Sequence, residues 1–198
     1  MNPPPVNLAV LLFASVFTSN ILLANFLGMC SFISISKDVT SSNGLGMAVI
    51  LVLTVTTAVN WVVLRYVLIP LGLVYLRFII FIVVIAAVVQ VLEMVIERIS
   101  EALYIALGIF LPLITVNCAI LGVSLFMFIR EYSFVQTVIY GFGSGVGWWL
   151  AILALSTIRQ RVEKAPVPAG LKGPGITLIT IGFMAMAFMG FSGMLQVQ

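Results

Sequence analysis

Apolar residues run in six long stretches along the chain, at about 6–35, 45–68, 76–96, 102–129, 135–158 and 176–195. Each is near or above the roughly 20 residues that a helix needs to cross a bilayer. The segments between them, 37–44, 65–77, 97–101, 130–133 and 159–175, hold most of the charges and turn formers. The pattern predicts an all-α integral membrane protein with six transmembrane helices, read as one membrane domain over 1–198.

The first stretch is too long for one straight span. At about 1.5 Å per residue its 30 residues would reach about 45 Å, against a hydrocarbon core of about 30 Å. A break between Asn20 and Gly28 resolves the excess and places Cys30 deeper in the bilayer. The fourth stretch carries Pro112 and Asn117 just before Cys118, so a broken helix is expected there too. Asn20, Asn25 and Asn117 are candidates to satisfy the backbone groups that such breaks release.

The two halves resemble each other. Gly44-Leu45-Gly46 opens the second stretch and Gly141-Phe142-Gly143 the fifth. Arg65 and Arg161 close these stretches; Arg77 and Lys172 precede the third and sixth. These offsets are 97, 96 and 95 residues, whereas Cys30 and Cys118 stand 88 apart, so the match needs gaps. Such weak internal symmetry marks repeat-built membrane proteins. Repeats at about 6–97 and 102–195 hold three spans each, and an odd number makes the second enter from the opposite side. The expectation is two inverted three-helix repeats, broken at spans one and four.

Composition narrows the class. Of 198 residues, 63% are hydrophobic and only 8% charged, and mean hydropathy is +1.28. Soluble domains carry about 25% charged residues. The net charge of +3 comes from nine basic residues spread near predicted helix ends. That distribution reflects topology and gives no case for nucleic acid as a partner; lipid is the partner it implies. Six of the nine fall in the odd loops, which the positive-inside rule places in the cytoplasm, with both termini periplasmic. The start, Met1-Asn2-Pro3-Pro4-Pro5, has no basic leader, so the first stretch is expected to be a retained helix. The absence of histidine removes imidazole ligation and catalysis. No residue stands out as a catalyst.

Three features bear on chemistry. A lone membrane cysteine is usually a small inert residue, but Cys30 and Cys118 occupy corresponding spans, beside Gly28 and beside Pro112 and Asn117. Facing thiols would make a disulfide or a metal site. Two thiolates are half of the Cys₄ set of a [2Fe–2S] cluster, and a partner would supply the rest. Glu93 lies within the third span, where a charge costs about 2.5 kcal/mol or more. It would suit a hard cation or a proton relay, unless it reaches water beside Glu97. The run Gly141-Phe142-Gly143-Ser144-Gly145-Val146-Gly147 has the look of a dinucleotide loop without the preceding strand. Its overlapping small-xxx-small pairs fit close helix packing. Trp148 and Trp149 then read as packing or interfacial anchors.

At several stretches the chain resembles a known family. They are Phe26-Leu27-Gly28-Met29-Cys30, Ala106 through Ile114, Val116-Asn117-Cys118-Ala119, Tyr140 through Trp148 and Met184 through Gly193. The family is that of the paired small membrane subunits of the Na⁺-pumping NADH:quinone reductase and of the related Rnf ferredoxin:NAD⁺ complex. The resemblance covers nearly the whole length and is strongest to the reductase's E type. It implies a bacterial inner-membrane subunit that is not catalytic alone. It also implies a [2Fe–2S] cluster shared with the homologous D-type subunit, with Cys30 and Cys118 as this chain's ligands. Na⁺ would be the transported ion, Glu93 would match an acidic residue of the ion pathway, and flavins and NADH would sit on other subunits. The short second loop near 69–75 is more like the A-type subunit of Rnf, whereas Ser31 and the 143–148 run are reductase-like. A non-redox ion transporter on the same repeats, with inert cysteines, and a purely structural subunit remain alternatives.

Overall fold

The computed structural model describes residues 7–99, 114–115, 117–166, 168, 170 and 172–191. Described residues form seven α-helices and no strand: α1 Leu8–Phe13, α2 Met29–Ile35, α3 Val39–Val63, α4 Arg77–Ile99, α5 Cys118–Ile129, α6 Phe134–Glu163 and α7 Pro174–Met189. Three continuous helical stretches, Val39–Leu68, Val74–Val95 and Phe134–Glu163, are long and apolar enough to span a bilayer. Leu8–Thr18, Cys118–Ile129 and Pro174–Met189 are shorter apolar helices. The chain is a multi-pass helical membrane protein. Pro112 lies outside the described residues.

The first predicted span is divided. α1 widens into π-type turns over Ala14–Thr18, the chain leaves helical geometry, and α2 restarts at Met29. The second span begins earlier than its apolar run. Asp38 accepts from Ser41 N at 2.9 Å, a cap that starts α3 at Val39, six residues before the expected 45. Hydrogen bonds from the Ser41 backbone and hydroxyl hold the Asp38 carboxyl below its ordinary range. Asn43 and Gly44, read as turn formers, ride inside this helix. Ser133 and Gln136 form a reciprocal capping box that starts α6.

The core is built around α3 and α6. Gly46 lies against Trp149, Gly145 against Ile50 and Gly141 against Thr57, so the two helices run antiparallel. The glycine run grips a second element from its other side. Gly143 meets Ser15, and Gly147 meets Val16 and Asn20, which sets the first span parallel to α6. Glycines two apart point to nearly opposite faces of a helix, so α6 is closely packed on both sides. α5 lies along α3 in parallel, through Asn60 to Ser124 (2.9 Å) and Trp61 to the Tyr132 carbonyl (3.0 Å).

Arginines fasten the ends. Arg159 donates to the Ile33 carbonyl (3.0 Å) and to Ser36 Oγ (2.8 Å), tying the end of α2 to α6. Arg77 stacks on Phe128 at 4.6 Å, tying the start of α4 to the end of α5. Along α4, Phe78, Ile79, Ile82, Val83 and Val91 are exposed, as a lipid-facing surface requires.

Candidate functional site

The break in span one is organised by one side chain. Asn20 is 1% exposed. Its Oδ1 accepts from Leu22 N (3.0 Å) and Leu23 N (3.3 Å), and its Nδ2 donates to the carbonyls of Val16 (3.0 Å) and Gly147 (2.9 Å). It thus replaces the helix ladder where the backbone turns away, and joins the break to α6. The chain then passes through Phe26 (φ 54°) and Gly28 (φ 86°). Both are left-handed, a conformation that glycine takes freely and an aromatic residue takes only under constraint. Asn25 does not share the work. Its side chain is exposed and makes no hydrogen bond among the described residues, because Asn20 already serves the released amides.

In the fourth predicted span the described helix starts at a cap, where Asn117 Oδ1 accepts from Ala119 N at 3.0 Å. α5 follows, with Cys118 as its first residue. Cys30 is the second residue of α2. Because α2 runs with α6, α5 with α3, and α3 against α6, the amino ends of α2 and α5 approach head to head. They meet at a hydrogen bond from Gly28 N to Cys118 Sγ, 2.9 Å. Exchanging the two halves leaves this set of relations unchanged, as a twofold relation demands.

Gly28 is required there by space as well as by φ. A Cβ at residue 28 would stand 2.8 Å from Trp148 Nε1 and 2.9 Å from Asn117 Oδ1. The two indoles of α6 differ in role: Trp148 is fully buried against this glycine, while Trp149 donates to Asn43 Oδ1 at 3.0 Å. Both cysteines are free and exposed on the chain's outer face. An exposed thiol near each of the two meeting helix ends is open to a neighbouring subunit.

The structure brings together Cys118, Gly28, Asn117 and, through Gly147, Asn20. Glu93 is apart from them, half-buried in the later part of α4 and without a partner among the described residues. No group of three or more His, Cys, Asp or Glu gathers among the described residues. Sequence reasoning missed Trp148 as a neighbour of Gly28 and Phe32. Its place directly after the glycine run was the available signal, since whatever α6 packs against must pass close to it.

Apolar helices packed through glycines, with the amino ends of two of them meeting and a thiol near each, define a multi-pass membrane protein of the helical class. The family model described as "Rnf-Nqr subunit, membrane protein" matches residues 8–195. The chain belongs to this family, whose complexes are ion-translocating oxidoreductases of NADH or ferredoxin, and it is a membrane subunit of such a multi-subunit assembly.

Proposed function

We propose that this chain is the E-type electron-transfer subunit of a redox-driven, Na⁺-translocating NADH:ubiquinone oxidoreductase in a bacterial inner membrane. In this reading it shares a [2Fe–2S] cluster with the homologous D-type subunit, its two inverted repeats couple electron transfer to cation movement, and both termini are periplasmic. The observation that carries the reading is the meeting of the two cysteine-bearing helix ends, with Gly28 N donating to Cys118 Sγ.

The residues suit such a group. Cys30 and Cys118 would hold it, giving two of four thiolates, and their exposure leaves room for two from a partner. Gly28 lets the backbone approach Cys118 where a side chain would collide with Trp148 and Asn117. Two buried N–H groups beside it, on Trp148 and Asn117, have no acceptor among the described residues. A bound cluster would supply one-electron transfer through the membrane. The chain's own part is to hold the thiolates, exclude water through the buried wall of Trp148 and Phe32, and offset negative charge with the amino end of α5.

The test is iron content and low-temperature electron paramagnetic resonance of the purified complex. Cys30→Ala and Cys118→Ala should each lose the cluster signal and its iron; an undiminished signal in both would overturn the ligand assignment. Glu93 is proposed to lie on the ion pathway, as an ionisable group half-buried within a spanning helix. Glu93→Gln should weaken the sodium dependence of turnover at least tenfold, and an unaltered dependence would remove it from the pathway. The short connection between Leu68 and Val74 favours a second reading, the A-type subunit of the Rnf complex. Substrate preference of the assembly, NADH with quinone or ferredoxin with NAD⁺, separates the two.

A further inference from the structure

Cys118 Sγ accepts one N–H, from Gly28. Two more N–H groups, on side chains that pack against Gly28, have nothing to receive them among the described residues. Trp148 Nε1 and Asn117 Nδ2 are shielded from solvent and unpartnered among the described residues, on side chains 0% and 2% exposed. Both side chains converge on Gly28, as the contacts a Cβ would make there show. Each buried donor left unmade costs about 1–3 kcal/mol, and native structures keep few of them. Two in one place, from two different helices, need a common explanation.

The neighbouring indole sharpens the point. Trp149, one residue along the same helix, finds its acceptor in Asn43. Trp148 is instead turned toward Gly28, whose N–H meets the Cys118 sulfur, and the one side-chain oxygen beside it, Asn117 Oδ1, already accepts from Ala119 N. We propose that Trp148 and Asn117 are positioning and potential-setting residues, whose N–H groups donate to the sulfurs of the iron–sulfur group held by Cys30 and Cys118. This rests on the cluster reading above. Hydrogen bonds to cluster sulfurs are one of the levers on reduction potential. They favour the reduced, more negative form, so the donors raise the potential.

A redox titration of the assembled complex, followed by electron paramagnetic resonance, tests this. Trp148→Phe keeps an aromatic ring and removes only the donor end. It should retain full iron and shift the reduction equilibrium about tenfold toward the oxidised form, about 59 mV for a one-electron couple. Trp149→Phe should leave the midpoint in place. An unshifted midpoint in Trp148→Phe with intact iron, or an equal shift in Trp149→Phe, would overturn the inference while leaving the cysteine ligands standing. Loss of iron in Trp148→Phe is met by a second measurement on the unaltered complex. Tryptophan labelled with ¹⁵N in the indole should show nitrogen coupling to the cluster in pulsed resonance, and its absence would overturn the inference. A cluster signal indifferent to both cysteine substitutions would instead remove the reading on which it rests.

Discussion

Gly145→Ala should unfold the membrane domain far more readily than Gly182→Ala, although both add one methyl group to an apolar helix. At Gly145 the new Cβ would stand 2.8 Å from Ile50 Cα, a backbone atom that cannot rotate aside. Relief requires α3 and α6 to separate, and this is the most extensive helix pair among the described residues. Helix association in lipid has little hydrophobic driving force and depends on close packing. Overpacking costs about 1–3 kcal/mol, and here the loss spreads along the interface. At Gly182 a Cβ meets nothing within 4 Å, so the helix preference for alanine leaves that variant neutral or up to about 1 kcal/mol more stable. Thermal unfolding in detergent, with both variants compared to the parent, reads the difference. Equal midpoints would show that α3 and α6 do not pack as described.

The second large effect is expected at Asn20. Asn20→Ala removes four hydrogen bonds at once and strands the amides of Leu22 and Leu23 in a site that water does not reach. At about 1–3 kcal/mol for each buried unsatisfied group, the loss is roughly 2–6 kcal/mol. The damage should be local in origin, because the break is what places α2 and Cys30. Asn20→Ala is therefore expected to lower the unfolding midpoint and to raise protease cleavage between Thr18 and Gly28 in the isolated subunit. Unchanged midpoint and cleavage would mean that the break is held by other contacts. Asn25→Ala, on an exposed side chain, is the matched control.

These expectations show which parts of the molecule the sequence made legible. Apolar run length located the spans, and excess length in the first of them called for a break. Asn20, Gly28 and Asn117 stood beside the breaks because few residue types fit where a helix ladder stops inside lipid. The spacing of Gly141, Gly143, Gly145 and Gly147 pointed to packing. What they pack against was not written there. The partners Ser15, Asn20, Ile50 and Thr57 lie about 85 to 130 residues away in the chain, and periodicity carries no information at that range. Faces were also hidden, since lipid and core are both apolar and a spanning helix need not be amphipathic. That is why Trp148 and Trp149 looked alike, and why Asn25 was expected to work beside Asn20. The start of α3 was obscured differently: Asn43-Gly44 imitates a turn, while the cap that decides the matter is Asp38, five residues earlier.

The hydrogen bond from Gly28 to Cys118 joins the two halves of the chain where their helix ends meet, but it does not act alone. α3 and α6, one from each half, lie along each other through Gly46, Gly141 and Gly145. Contacts at backbone distance leave no slack for one half to tilt as a rigid body against the other. Any rearrangement within the chain is therefore left to α4 and α7, which lie outside that seam.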